Sequence, residues 1–127
     1  MKTKIETQNA PKVIGPYSQA IVTGNLIFTS GQIYMTIEGK LLEGTIEEQT
    51  HQVMKNLGAV LEEAGVVFDD VVKTTIYVTD MSLYSKINEV YGSYFKDIFP
   101  ARETVGVLTL PAGAKVEISM VAIKEQK

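Results

Sequence analysis

Several residue types on which common active sites depend are absent or nearly absent from this chain. Its 127 residues include no cysteine, one histidine (His51) and one arginine (Arg102). Without cysteine there is no disulfide, no thiolate nucleophile and no cysteine-ligated metal. A zinc site would have to draw all but one of its ligands from carboxylates, which is unusual for that metal. The composition therefore predicts that no metal takes part in the chemistry.

Long apolar runs and an excess of positive charge are also missing. No stretch approaches the roughly 20 apolar residues of a membrane span, and the first twelve residues are too polar for a secretory signal. We expect a cytoplasmic protein with no membrane partner. The formal net charge of −3 argues against nucleic acid as the main partner, because phosphate binding needs a basic surface. Hydrophobic residues make up 45% of the chain, which predicts one globular domain over residues 1–127.

Two helices and five or six strands are predicted by the pattern of apolar residues. Thr45 and Glu48 form a capping-box pattern at the start of the clearer helix, and Gly65 is placed to end it in a left-handed turn. The second helix is predicted within residues 81–99, with Asp80 or Ser82 as its cap. Strands are predicted on both sides of a Gly24–Asn25 turn, the second over Leu26–Met35, and in the segments DVVKTTIYVTD, RETVGVLTL and KVEISMVAIK.

The order of these elements is ββαβαββ, which predicts an α+β sandwich with both helices on one face of a mixed sheet. The other sheet face should then carry exposed apolar residues, among which we expect Val105, Val107 and Ile118. A wide apolar face on a small domain usually marks a subunit interface. The pattern therefore predicts a homo-oligomer.

Arg102 and Glu117 are the two strongest candidates for chemistry. A guanidinium offers a rigid fork that binds a carboxylate through two hydrogen bonds, whereas lysine offers a flexible point charge. Glu117 lies between two apolar strand residues and could be a general base in a cleft. Simple alternation with Glu117 facing water, and an ordinary surface role for Arg102, are the alternatives. Only one turn separates their two strands, so we expect Arg102 and Glu117 to lie close together.

Other candidates are less distinctive on their own. Ser30 and Gly31 fall within a strand-like run, where glycine often marks a bulge or a close approach by a ligand. Only His51, on a charged helix, could activate Ser30, so a serine hydrolase is not expected and Ser30 is better interpreted as a hydrogen-bond donor to a ligand. Tyr17 and Asn88 would by themselves be taken as turn and helix-surface residues.

Together these segments resemble the RidA (YjgF) family of reactive-intermediate deaminases. The resemblance runs from Gly15 to Lys124 and rests on IGPYSQAI, SGQI, EQTHQVMKNLGAVLEEAG, VVKTTIYVTDM, NEVYGSYF, and PAR followed by LPAGAKVEI. The first helix looks most like the Bacillus-type YabJ branch. The resemblance implies a chorismate-mutase-like α+β subunit in a homotrimer, with sites between subunits. It also implies hydrolysis of 2-aminoacrylate, 2-iminopropionate and 2-iminobutyrate to 2-keto acids and ammonia.

The resemblance assigns roles to individual residues. Arg102 would hold the substrate carboxylate, and Glu117 would position or activate the attacking water. Ser30 and Gly31 would contact the substrate and its water, with Tyr17 and Asn88 as further pocket residues. No cofactor is implied, because an imine is already electrophilic and needs chiefly to be placed beside a water.

Thr104 departs from the family pattern, in which many members have a cysteine two residues after the arginine. Threonine should serve there if the position contributes volume or backbone, but not if a thiol is needed. Two other functions stay open: an endoribonuclease or translation inhibitor of the L-PSP type, and a regulator of purine or amino-acid metabolism that binds a small ligand. One histidine and a net negative charge give the first of these little support.

Overall fold

The computed structural model describes residues 1–125, which form six strands and two helices. Their bounds are β1 Lys2–Ile5, β2 Ala20–Thr23, β3 Leu26–Thr29, α1 Ile46–Glu63, β4 Val71–Val78, α2 Tyr84–Gly92, β5 Ala101–Gly106 and β6 Val116–Ile123. Single turns of 3₁₀ helix precede β4, α2 and β6. The predicted class, an α+β sandwich of a mixed sheet and two helices, is confirmed.

All six strands belong to one sheet with the order β1-β2-β3-β6-β4-β5. The β4–β5 pair is parallel and the other four pairs are antiparallel. Strands β5 and β6 follow one another in sequence but are not neighbours, because β4 lies between them. The expectation that Arg102 and Glu117 lie on adjacent strands was therefore wrong.

Side-chain alternation divides the sheet into a helix-covered face and an open face. Alternate residues of β4 and β6 are buried beneath α1 and α2, and the residues between them are partly exposed. Val105 lies on the open face and is 39% exposed, as predicted. Ile118 is fully buried on the helix-covered face, so its predicted place on the open face was wrong. Val107 lies just beyond the end of β5.

Helix α1 follows its sequence signals closely. The Thr45 N–H donates to Glu48 Oε1 at 2.8 Å and the Glu48 N–H donates to Thr45 Oγ1 at 3.1 Å, which confirms the capping box. Gly65 ends the helix with φ +85°. The predicted apolar face is buried against the sheet and consists of Val53, Met54, Leu57, Val60, Leu61 and Ala64.

Helix α2 is shorter than the predicted segment. It begins after one 3₁₀ turn, which Asp80 caps by accepting a hydrogen bond from the Ser82 N–H at 2.9 Å. It ends at Gly92, about two turns before the apolar pattern does. Beyond it, Tyr94 and Phe95 pack on Phe68 by edge-to-face contacts rather than by continuing the helix.

Two strands differ from the prediction. The polar β1 segment has no apolar alternation and was not predicted as a strand, yet it pairs with β2 over four residues. Strand β3 ends at Thr29 rather than continuing to Met35. Beyond it the chain rejoins β6 through a single bridge between Gln32 and Ile118.

The loop before β6 holds one alanine in a left-handed conformation. Ala112 has φ 58° and ψ 16° in a turn closed by the Gly113 N–H donating to Leu110 O at 3.2 Å. That position of the turn favours glycine, because the alanine Cβ is crowded by its own backbone.

We expect Ala112→Gly to raise the free energy of unfolding by roughly 0.5–1 kcal/mol, because it relieves this crowding. Ala114→Gly is the matched control, since Ala114 has φ −64° and is buried, so that glycine there should destabilise. Urea denaturation of both variants measures the difference. Equal destabilisation by the two substitutions would contradict the assignment of strain to Ala112.

Candidate functional site

The seven residues predicted for the site fall into two separate groups. Tyr17, Ser30, Gly31 and Glu117 line a cavity of about 600 Å³, which we name the Glu117 cavity. Asn88, Arg102 and Thr104 lie together beside α2, where we name Arg102 and its contacts Tyr84, Asn88 and Tyr91 the Arg102 cluster.

Arg102 is held by neutral oxygen atoms. Its Nη1 donates to Asn88 Oδ1 at 2.7 Å, and its Nη2 donates to the Tyr84 hydroxyl at 2.7 Å. Within residues 1–125 no carboxylate forms an ion pair with it. The guanidinium is therefore fixed in place, and among residues 1–125 its charge is uncompensated and three of its five N–H donors have no hydrogen-bond partner.

The guanidinium of Arg102 also lies over the aromatic ring of Tyr91. The Arg102 Cζ lies 5.1 Å from the Tyr91 ring centroid, within the range of a cation–π interaction. The Tyr91 hydroxyl donates to Thr74 Oγ1 at 2.9 Å, and burial raises the pKa of Tyr91 above its ordinary value. Tyr91 is thus a neutral ring anchored to the strand that runs beside Arg102.

The hydroxyl of Thr104 does not face an open space. Its Oγ1 is buried and has no hydrogen-bond partner among residues 1–125. The side chain lies two residues along β5 from Arg102 and on the same face, next to Ile76 of β4. In this chain Thr104 supplies volume beside the arginine, and its predicted contact with substrate stays a prediction.

Glu117 lies on the open face of the sheet at one wall of its cavity. Both of its neighbours along β6, Val116 and Ile118, are fully buried on the opposite face. Desolvation raises the pKa of the Glu117 carboxyl above its ordinary value, and no charge or hydrogen bond of the described chain offsets that rise. A carboxyl with a raised pKa is a stronger base than an ordinary glutamate, which is a common property of groups that act in general acid–base catalysis.

A bulge next to Glu117 explains why glycine occupies position 31. Between the Phe28–Val121 pair and the Gln32–Ile118 bridge, the end of β3 and the segment after it contribute three residues against two of β6. A Cβ atom at Gly31 would lie 1.9 Å from Glu117 Oε2. The predicted bulge is therefore present and the group that approaches Gly31 is the Glu117 side chain, while the predicted contact of Gly31 with a ligand stays a prediction.

Ser30 and Tyr17 occupy different parts of the same cavity. Ser30 donates from Oγ to Ser18 O at 2.5 Å and from its backbone N–H to Gln19 O at 2.9 Å. A donor role toward a ligand would therefore require the hydroxyl to leave Ser18. Tyr17 is 54% exposed and forms a wall of the cavity, so its predicted role as a pocket residue is compatible with this position.

The Arg102 cluster and the Glu117 cavity are too far apart to form one site within a single chain. Arg102 is level with Thr74 of β4 on the helix-covered face, and Glu117 is level with Tyr77 of β4 on the open face. Two strand spacings separate them by about 10 Å across the sheet, and the three-residue offset adds about 10 Å along it. The sheet itself lies between the guanidinium and the carboxylate.

Metal and membrane features were searched within residues 1–125. This part of the chain holds no cluster of three or more histidine, cysteine, aspartate or glutamate side chains that could bind a metal ion. None of its helices combines the length and the apolar character needed to cross a membrane.

Sequence reasoning missed two residues of the Arg102 cluster, Tyr84 and Tyr91. Tyr84 opens α2 and lies four residues before Asn88 and seven before Tyr91, so all three share one face of the helix. The spacing is visible in the sequence once Asn88 is taken as a site residue. Asn88 itself, predicted as a pocket residue, contacts Arg102.

Comparisons with known proteins agree on one family. Residues 7–124 match the family described as Endoribonuclease L-PSP. A RutC family protein of Pyrococcus horikoshii is 48% identical over 98% of this chain and 100% of its own length. The human 2-iminobutanoate/2-iminopropanoate deaminase is 45% identical over 94% of this chain and 88% of its own length. A solved Rid family structure from Yersinia pestis is 51% identical and superposes with a TM-score of 0.94, covering 97% of this chain and 99% of that one. The closer likeness to the Bacillus branch stays a prediction.

The raised pKa of Glu117 predicts a pH-dependent effect of Glu117→Gln. Below the ordinary pKa of a glutamate, the Glu117 carboxyl is protonated in both the folded and the unfolded state, so its burial carries no cost of desolvating a charge. Above the raised folded-state pKa it is ionised in both, and the folded state bears the full cost of desolvation. Glu117→Gln should therefore be more stable than wild type at neutral pH, and the difference should vanish as the pH falls through this window.

Urea denaturation from about pH 4 to about pH 8 measures this difference. Glu103→Gln is the control of opposite sign, because hydrogen bonds from Thr75 and Lys73 lower the pKa of the Glu103 carboxyl. A stability difference for Glu117→Gln that is independent of pH would show that Glu117 is not desolvated in the folded protein.

Proposed function

The chain belongs to the endoribonuclease L-PSP family, which includes the YjgF and Rid proteins, and from this premise we propose that it is a 2-imino acid deaminase. It would hydrolyse the imine and enamine forms of 2-imino acids, such as 2-iminobutanoate, 2-iminopropanoate and 2-aminoacrylate, to 2-keto acids and ammonia. The name of its human relative, 45% identical, supports this reaction class.

The uncompensated guanidinium of Arg102 carries the proposal. It is oriented by Asn88 and Tyr84, supported by the Tyr91 ring and paired with no carboxylate of the described chain. Its remaining donors can take both oxygens of a carboxylate, which every 2-imino acid carries. The substrate would therefore bind to the Arg102 cluster by this group.

The carboxylate of Glu117 is the general base, and its charge is opposite to that of the Arg102 guanidinium. Water adds to C2 of the iminium, and Glu117 accepts the proton released from that water. Glu117 returns this proton to the nitrogen of the resulting carbinolamine, so it ends the cycle unprotonated. The C–N bond then breaks, the C2 hydroxyl becomes a carbonyl as it loses its proton, and the released ammonia takes up that proton and leaves as ammonium. Because burial raises the pKa of Glu117, its carboxylate is a stronger base toward the water than an ordinary glutamate would be.

A second copy of the chain must complete the site, because Arg102 and Glu117 lie on opposite faces of one sheet. We therefore place the reaction between subunits, with the guanidinium of one copy opposite the Glu117 cavity of the next. Exposed apolar residues on and near the open face, among them Phe28 at 43% and Val105 at 39%, offer a surface for such contact. Closed cyclic symmetry then gives one cleft per subunit, and the resemblance to the Rid family leads us to propose that the assembly is a homotrimer.

The family description also names an endoribonuclease, and this alternative can be tested with the same variants. An RNA site needs several basic groups along a phosphate backbone, whereas this chain has a net charge of −3. Arg102 is a single cation, fixed in place by Asn88 and Tyr84. Deamination is therefore the function that this geometry supports best.

A competition assay tests the proposal. A threonine dehydratase generates 2-iminobutanoate, semicarbazide traps it, and the added protein should lower the trapped fraction. Arg102→Lys should reduce this activity about 10- to 100-fold, because it keeps the charge but loses the fork and its two supporting hydrogen bonds. Lys55→Ala, which removes a positive charge from the exposed side of α1, is the control. An inactive wild type would refute the function, and a fully active Arg102→Lys would refute the clamp.

Mixing two inactive variants tests the shared site. Arg102→Ala and Glu117→Ala proteins, unfolded together and refolded, form mixed trimers in which some clefts receive both native residues. Random assembly gives each cleft a one-half chance of a native Arg102 and a one-half chance of a native Glu117, so about one quarter of wild-type activity should return. Each variant refolded alone is the control. No recovery in mixed trimers, verified by mass, would mean that one subunit supplies both residues.

A further inference from the structure

The described part of the chain offers no hydrogen-bond acceptor to the hydroxyl proton of Tyr84. The Tyr84 oxygen accepts a hydrogen bond from Arg102 Nη2, and this is its only hydrogen bond among residues 1–125. A phenol has one O–H donor and can accept through lone pairs, so the proton must point away from the guanidinium that occupies the lone pair. The O–H therefore projects beside the guanidinium without an acceptor.

The neighbouring Asn88 has the same character. An arginine can only donate, so the atom of Asn88 that meets Arg102 is its oxygen, and the amide N–H₂ points elsewhere. The guanidinium and the Tyr84 hydroxyl thus lie side by side, one hydrogen bond apart, and each keeps a donor that has no acceptor among residues 1–125. A group that binds both must accept hydrogen bonds, and a negative charge on it would also offset the charge of the guanidinium.

We propose that Tyr84 is a substrate-binding residue whose O–H donates to the same carboxylate that Arg102 holds. This inference rests on the proposed function and extends the carboxylate site from one residue to two. A carboxylate has about four lone-pair sites, so two bonds from the guanidinium leave others for the phenol. Tyr84 then contributes to affinity for the acid group rather than to the addition of water.

A purely supporting role for Tyr84 predicts something different. If its hydroxyl only orients Arg102, its loss weakens every ligand that contacts the guanidinium. If it binds the carboxylate directly, its loss matters only for ligands that present a second acceptor oxygen. A ligand in which one carboxylate oxygen is replaced by an amide N–H₂ separates the two cases.

Tyr84→Phe removes the hydroxyl and keeps the ring next to the guanidinium. The stable product 2-oxobutanoate and its neutral analogue 2-oxobutanamide are the probes, and calorimetry gives the dissociation constant of each with wild type and variant. We expect Tyr84→Phe to raise the dissociation constant of 2-oxobutanoate about tenfold and to change that of 2-oxobutanamide by no more than about twofold. In turnover of 2-iminobutanoate the variant should raise KM and leave kcat nearly unchanged.

Tyr94→Phe is the matched control, because the Tyr94 hydroxyl bonds to His51 on the outer surface of the helix layer. It should bind both probes as wild type does. Thermal unfolding of Tyr84→Phe verifies that the variant is folded. Equal weakening of both probes by Tyr84→Phe would assign it a supporting role, and wild-type affinity for 2-oxobutanoate would remove it from the site; either result overturns the inference.

The binding measurement separates this inference from the deaminase proposal. Tight 2-oxobutanoate binding that depends on Tyr84, without turnover of 2-iminobutanoate, supports the carboxylate site and refutes the reaction. Turnover of 2-iminobutanoate that Tyr84→Phe leaves unchanged supports the reaction and refutes the role of Tyr84 in binding the carboxylate. A wild-type protein that does not bind 2-oxobutanoate overturns the two-residue carboxylate site.

Discussion

Alternation of side chains along β-strands is the constraint on which the site depends. Because successive residues point to opposite faces, the register of β4 against β5 and β6 fixes Arg102 beneath α2 and Glu117 on the open face. No side-chain rotation can bring them together through a hydrogen-bonded sheet. A shift of one residue between β4 and β6 would bury Glu117 among apolar side chains beneath the helices, and a shift of one residue between β4 and β5 would move Arg102 to the open face.

The parts of the fold that depend on local chemistry could be predicted from the sequence. The capping box at Thr45, the left-handed Gly65 and the Gly24–Asn25 hairpin each follow from interactions within a few residues. The end of α2 could not, because aromatic packing of Tyr94 and Phe95 on Phe68 decides it. Strand β1 has no apolar pattern, because it lies at the sheet edge and is held by backbone pairing.

The chemistry of the site was visible in the sequence, but its geometry was not. A lone arginine and a glutamate between apolar strand residues are unusual features, and the structure places Glu117 at the wall of a cavity and Arg102 in a hydrogen-bonded cluster beside α2. Their separation depends on β4 entering the sheet between β5 and β6, which is a long-range choice of topology. Tyr84 escaped notice because its value comes from its position one helical turn before Asn88.

Gly31 has a consequence for the genetics of this protein. Every missense change in a glycine codon adds at least one carbon atom, and the first such atom here would fall 1.9 Å from a Glu117 oxygen. Even the smallest change, to alanine, must therefore move the glutamate or the strand that carries it. Among sequences drawn from random mutagenesis and selected for activity, codon 31 should thus be as invariant as the codons of the residues that touch substrate.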